Sequence, residues 1–235
     1  MAVESLYVEP EKDAAAVEWP ALECLDVFKI YRSGPVETVA LRGLDVRVER
    51  GELVAVLGPS GCGKSTLLAL AAGLDEPSAG EVRVRGRSLG RLDDDELARY
   101  RARDVALVFQ SDNLWPALSA EENVATGLRL AGAADPHETA QAALDRFGLG
   151  SRGSHRASAL SGGEQQRVAI AAAWARRAEL VLADEPTGEL DEHNERLVLD
   201  ALRDLRSTVV VVTHSERVAE AADRVIEMRD GKATA

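Results

Sequence analysis

Cysteine is scarce in this chain: Cys24 and Cys62 are the only two in 235 residues. They lie far apart and without metal-ligand spacing, too few for a disulfide framework, so two free thiols in a reducing compartment are expected. Basic residues are also in deficit, with 28 Lys and Arg against 40 Asp and Glu and a formal net charge of -12. Nucleic-acid phosphates recruit clustered cations, so nucleic acid is not an expected partner. No apolar stretch reaches the ~18 residues that cross a bilayer, and Met1 to Pro20 lacks the charged-then-apolar order of a secretory leader. Membrane association is therefore expected only through a partner. Internal repeats and low-complexity linkers are missing as well. What remains is 46% hydrophobic character, enough to bury one sizeable core or a core with a subdomain.

The first twenty residues, acidic and Ala-rich, read as a loose leader. From Ala21 onward, strand-like runs at Asp45 to Val48, Leu53 to Leu57, Val82 to Val84 and Val105 to Phe109 alternate with Gly51, Gly58, Gly80 and Gly86. Helical spacing follows over Asp93 to Arg103, Ser119 to Gly132 and Pro136 to Gly148. Short apolar runs return at Leu180 to Ala183 and Thr208 to Thr213, each after a helical segment. That is the pattern of parallel strands with crossover helices.

Gly58-Pro59-Ser60-Gly61-Cys62-Gly63-Lys64-Ser65-Thr66 fits G-x-x-x-x-G-K-[ST] between an apolar strand and a helical run, Leu67 to Ala72. Glycines let the backbone wrap a phosphate, the helix N-terminus faces its charge, Lys64 reaches the β and γ phosphates, and Ser65 ligates Mg2+. A chance Gly-rich turn would not carry both flanking elements. Leu180-Val181-Leu182-Ala183-Asp184-Glu185 is an apolar strand ending in two carboxylates. Alone the pair reads as a solvated strand end. Beside a phosphate loop, Asp184 takes the metal and Glu185 polarises the attacking water.

Leu160-Ser161-Gly162-Gly163-Glu164-Gln165-Gln166-Arg167 also reads as a helix cap. This octet resembles the signature of ABC ATPases. The resemblance implies that Ser161, Gly163 and the helix N-terminus bind the γ-phosphate of ATP held by the opposite subunit, giving two composite sites in a head-to-tail dimer. It also implies roles for residues that alone read as ordinary loop or strand-end side chains. Gln110 resembles the glutamine that touches Mg2+ and relays contact to a permease. His214 resembles the histidine at the γ-phosphate. Asp191 resembles the residue that communicates across the dimer, and Tyr31 the aromatic that stacks on adenine.

The motifs Ala183 to Gly188, Val211 to His214 and Met228 to Lys232 are similar to the branch serving lipoprotein release, macrolide or peptide export and cell-division signalling. Such ATPases act at the cytoplasmic face of the membrane on integral permease subunits. Three departures stand out: Glu189 replaces a frequent Asn, Ser215 a common Asp after the histidine, and Ala172 to Ala175 carries Trp174. Cys62 reads equally as a buried small residue or a sensitive thiol. The expected fold is α/β, a phosphate-loop NTPase core with a mixed sheet, an antiparallel β subdomain and a helical signature subdomain at about 111–160, all within one domain over 21–235. ATP and Mg2+ are the expected ligands and a second, identical ATPase subunit the expected partner. A soluble ABC ATPase outside transport is the alternative, but it needs two cassettes or a long coiled-coil insertion. A module that holds ATP without turnover is disfavoured by Glu185 and His214.

Overall fold

The computed structural model describes residues 18–34, 36–188 and 190–234. In chain order, β1 (Leu22–Ser33) and β2 (Val36–Val48) pair, and β3 (Leu53–Leu57) feeds α1 (Lys64–Ala71). Next come β4 (Ala79–Val84), β5 (Arg87–Ser88), α2 (Asp94–Arg103) and β6 (Val105–Val108). Three helices follow, α3 (Ala120–Ala131), α4 (Pro136–Arg146) and α5 (Gly162–Ala175). The chain ends with β7 (Leu180–Asp184), α6 (Glu192–Arg203), β8 (Thr208–Thr213), α7 (Glu216–Ala221), β9 (Arg224–Arg229) and β10 (Lys232–Thr234).

An antiparallel sheet runs β2-β1-β4-β5, and a second sheet runs β10-β9-β3-β8-β7-β6. In the second, β9, β3, β8, β7 and β6 are parallel and only β10 turns back. Every residue of β8 is buried, as the unbroken apolar run requires when helices cover both faces. Leu57 of β3 pairs with Thr213, and Asp184 of β7 with Val212, so three strands deliver their carboxyl ends side by side. Leu182 is fully buried at the centre of β7. Leu182→Ala is expected to lower unfolding stability by about 3 kcal/mol in urea denaturation, through lost burial and the cavity left behind. A loss below ~1 kcal/mol would mean that the neighbours collapse into the space.

The helices begin where the sequence supplies caps. Asp93, Ser119 and Ser161 each form a capping box with Glu96, Glu122 and Glu164. Helix α5 packs against α3 and α4 on one side and against α6 and β6 of the core on the other. Trp174 lies edge-on to Phe147, ring centroids 6.3 Å apart, with the Arg146 guanidinium 5.4 Å from its centroid. Its place in this chain is therefore to join α5 to α4.

The expected strand to Phe109 ends one residue earlier, because Phe109 turns its amide to the Asn113 side chain. Residues 1–17 of the expected loose leader lie outside the described residues, as does Glu189. At the leader's end Pro20 is buried, and the Trp19 indole, itself exposed, lies across Gly86, where a Cβ would meet the ring at 2.5 Å. Cys24 is 1% exposed, and burial, with Asp45 adding, pushes its thiol pKa up to about 12. Native protein is expected to leave Cys24 unmodified by iodoacetamide at neutral pH, checked by peptide mass mapping.

Candidate active site

A cleft of about 980 Å³ opens at the carboxyl ends of β3, β7 and β8. It is lined by residues 58–61 and 63–66, residues 38–40 of β2, residues 109–112, and Asp184, Glu185 and His214. A more apolar cavity of about 470 Å³ lies at the opposite ends of the strands, bounded by Arg50, Trp174 and Glu179, and holds none of the expected site residues.

The loop between β3 and α1 is shaped by contacts from far along the chain. A Cβ on Gly58 would meet the Met228 carbonyl at 2.3 Å and Cys62 Sγ at 2.7 Å. Gly63, at φ 106°, has the Ala40 carbonyl 2.6 Å from where its Cβ would stand. Only glycine meets both the conformation and the close approach. The Gly231 amide donates to the Cys62 carbonyl at 3.0 Å, and the Cys62 side chain is 5% exposed. Helix α1 has no side-chain cap, so its first-turn amides face the cleft. Ser65 is the second residue of this helix, exposed. Lys64 donates from Nζ to the carbonyls of Gly58 at 2.7 Å and Pro59 at 3.2 Å, which puts an ammonium inside the loop.

Glu185 sits just past β7 with a left-handed backbone, φ 45°. Its carboxylate accepts from Thr213 Oγ1 at 2.9 Å and the His214 amide at 3.3 Å, while Oε1 lies 2.9 Å from His214 Nδ1. The Glu185 side chain is largely buried and the His214 ring largely exposed, so the ring reaches into the cleft while the carboxylate anchors its inner nitrogen. Thr213 carried no signal in the sequence beyond its place before the histidine.

Gln110 lines the cleft, its Nε2 3.3 Å from where a Cβ of Gly188 would stand. Its backbone is clamped by Gln166, 4% exposed on α5, whose Nε2 donates to the carbonyls of Phe109 at 2.8 Å and Gln110 at 2.6 Å. Asn113 donates in turn to Gln166 Oε1 at 2.8 Å. The helix carrying the Ser-Gly-Gly segment thus holds the glutamine turn directly.

Ser161 and Gly163 do not line the cleft of their own chain. The Ser161 hydroxyl accepts from the Glu164 amide at 3.2 Å, and buried Gly163 packs so tightly on Asn194 that a Cβ would stand 2.5 Å from Oδ1. Asp191, the exposed N-cap of α6, accepts from the Asn194 backbone amide at 2.8 Å and from its side chain. These bonds hold its carboxyl below the usual range. Tyr31 stands off the cleft lining but pairs with Thr38, which belongs to it. Its hydroxyl donates to Asp75 at 3.0 Å, and Lys29 Nζ lies 5.0 Å from the ring centroid.

The model of the ABC transporter family matches residues 41–188. The lipoprotein-releasing system ATP-binding protein LolD of Anaeromyxobacter dehalogenans is 46% identical over 229 residues, covering 94% of this chain and 96% of that protein. The macrolide export ATP-binding/permease protein MacB of Hyphomonas neptunium is 44% identical over 91% of this chain, which spans only 34% of that longer protein. Among solved structures, the ATP-binding cassette MJ0796, a dimer in a post-hydrolysis state bound to ADP and Pi, superposes with TM-score 0.84 and 38% identity. That match covers 91% of this chain and 97% of the other. With the phosphate loop, the carboxylate pair, the histidine and the signature helix arranged on this fold, the chain belongs to the ABC transporter family as an ATP-binding, ATP-hydrolysing subunit.

Proposed function

We propose that this chain works as one of a head-to-tail pair of identical cassettes on the cytoplasmic face of a membrane, and that closure of the pair on ATP drives a permease. The observation that carries this reading is a division of parts. Lys64, Glu185 and His214 face one cleft, whereas Ser161 and the first turn of α5 lie outside it, so one chain holds two halves of different sites. The dimeric MJ0796 cassette with ADP and Pi, and the export and lipoprotein-release names of the relatives, support it. Among the described residues no helix is long and apolar enough to cross a membrane, so attachment through a separate permease is part of the proposal.

In this reading Lys64 and the uncapped amides of α1 bind the β and γ phosphates. Glu185 orients the attacking water and takes up its proton at a carboxylate oxygen, and His214 contacts the γ-phosphate with the ring nitrogen not turned to Glu185. The donor set fits magnesium: one hydroxyl from Ser65, one amide oxygen from Gln110 and one carboxylate from Asp184 are hard oxygen ligands, few enough that substrate phosphates complete the shell. Bound there, Mg2+ would neutralise charge on the phosphates. Asp191 carries the state of one site to the other.

Tyr31, presented beside Thr38, stacks on adenine. Tyr31→Ala is expected to raise KM for ATP several-fold and leave kcat within about twofold, since stacking supports ground and transition states alike. Steady-state kinetics with only a kcat defect would contradict stacking. Purification of the tagged chain from membranes, with identification of co-purifying integral subunits, tests the permease partnership. Recovery of the chain alone from intact membranes would count against it.

A further inference from the structure

Behind the histidine, on the side away from the phosphate loop, one largely buried carboxylate gathers three segments of the site. Glu195 stands on α6, one turn beyond Asp191, with its side chain only 12% exposed. Oε1 accepts from Ser215 Oγ at 2.9 Å and lies 3.5 Å from Thr187 Oγ1, while Oε2 accepts from Arg217 Nη1 at 3.1 Å. Those partners come from three places: the turn after Glu185, the residue after His214, and the start of α7. From the Ser215 amide the chain of bonds continues to Thr213 Oγ1 at 3.0 Å and from there to Glu185 Oε2 at 2.9 Å. Each group is used in its natural sense: hydroxyls donate to carboxylates, and the Thr213 oxygen accepts the amide.

A carboxylate withdrawn this far from water costs free energy unless its oxygens are bonded and its charge offset. Ser215 and Arg217 meet both needs, so the arrangement defines one position for the segment 213–217. Ser215 fills the place where an Asp commonly follows the histidine in this branch. A carboxylate on the loop itself would stand beside Glu195 where the Ser215 hydroxyl now donates, exchanging a hydrogen bond for repulsion between like charges. With serine at 215, the carboxylate at this spot comes instead from α6, the helix that Asp191 opens. We infer that Glu195 is a positioning residue for hydrolysis: through Ser215 and Thr213 it fixes His214 and Glu185 relative to the N-terminus of α6.

This inference rests on the reading that Glu185 and His214 act at the γ-phosphate. Glu195 touches neither substrate nor metal in that reading, so it acts on turnover rather than on nucleotide affinity. Glu195→Ala is expected to lower kcat about tenfold or more, the scale that follows when a reacting geometry loosens by a fraction of an ångström, with KM for ATP within about twofold. Ser215→Asp alone is expected to lower kcat similarly by placing two carboxylates together. The pair Glu195→Ala with Ser215→Asp is expected to recover to within about threefold of the parent, because the single remaining carboxylate again meets Arg217; such non-additivity is the signature of direct coupling. Glu192→Gln, which removes the outer, exposed partner of Arg217 at 3.5 Å together with the surface pair to Arg196 at 3.6 Å, serves as control with unchanged kcat.

The assay is basal ATP hydrolysis by the purified chain with Mg2+, alongside thermal melting and His214→Ala. A merely structural role would lower the melting temperature and leave kcat per folded molecule unchanged in every variant, with no loss for the double variant to recover. If His214→Ala loses turnover while Glu195→Ala keeps kcat within twofold, or if the double variant is no better than the single ones, the assignment of Glu195 is wrong and the site reading stands. If His214→Ala turns over normally, the site reading fails and this inference with it.

Discussion

Lys64→Ala is expected to abolish turnover, with a fall of at least ~10³-fold in kcat/KM, and to weaken ATP binding at the same time. The magnitude follows from where the ammonium already lies. Its Nζ is 2.7 Å from the Gly58 carbonyl and 3.2 Å from that of Pro59, so the loop holds one positive charge at its centre before any phosphate arrives. The β and γ phosphates gain charge density as the bond between them breaks, and a preorganised cation contributes more there than in the ground state. The loop itself does not depend on this side chain. Gly58 is set by Met228 and Cys62, Gly63 by Ala40 and Leu41, and the Cys62 carbonyl accepts from Gly231. The variant is therefore expected to melt within a few degrees of the parent, which separates lost chemistry from lost fold. Lys64→Arg is not a conservative rescue, because the planar guanidinium does not fit a turn built round a compact ammonium. Hydrolysis by Lys64→Ala within tenfold of the parent would overturn the site assignment.

The features legible in the sequence were those in which neighbouring residues carry the whole signal. The phosphate loop, the carboxylate pair and the capped signature helix are each contiguous. The apolar runs at Leu180 to Ala183 and Thr208 to Thr213 read as buried parallel strands because both their faces are covered. Strand β1 was harder, since irregularities between Cys24 and Val27, Val27 and Phe28, and Lys29 and Ile30 break its alternation. The β9 and β10 hairpin turns through Asp230 and Gly231, both at positive φ, and the Asp-Gly pair is the local signal that could have found it. What no local pattern conveys is a partner brought in by folding. Met228 presses on Gly58 from 170 positions away, Gln166 holds a turn 56 positions earlier, and Glu195 meets Ser215 across 20. Each of these side chains also had an ordinary reading as a helix or strand residue, and nothing in its neighbours favoured more.

Glu185→Gln is expected to convert the chain from a monomer into an ATP-dependent dimer while reducing hydrolysis by at least ~10²-fold. The amide keeps the size of the carboxylate and can still accept from Thr213, and Gln tolerates the left-handed backbone at this position as well as Glu does, so the cleft is conserved. Removed is the acceptor that takes the proton of the attacking water. ATP then binds and persists. If each nucleotide is closed over by the first turn of α5 from the other chain, ATP has higher affinity for the closed pair than for two open chains, and slow hydrolysis preserves that bias. Size-exclusion chromatography with light scattering is expected to show the mass of one chain without nucleotide and of two with saturating ATP and Mg2+. Adding Ser161→Arg should return the protein to one chain, by setting a bulky cation where the opposing phosphate must approach the α5 amides. That change also removes the hydroxyl that accepts from Glu164, a cap whose loss costs about 1 kcal/mol. Glu185→Gln with Ser161→Ala loses the same cap without the bulk, and so is expected to keep dimerising at higher ATP. If Glu185→Gln stays a single chain at saturating ATP, nucleotide-driven self-association of this cassette fails; if Ser161→Arg and Ser161→Ala weaken the dimer equally, the signature segment acts through helix stability and not at the opposing phosphate.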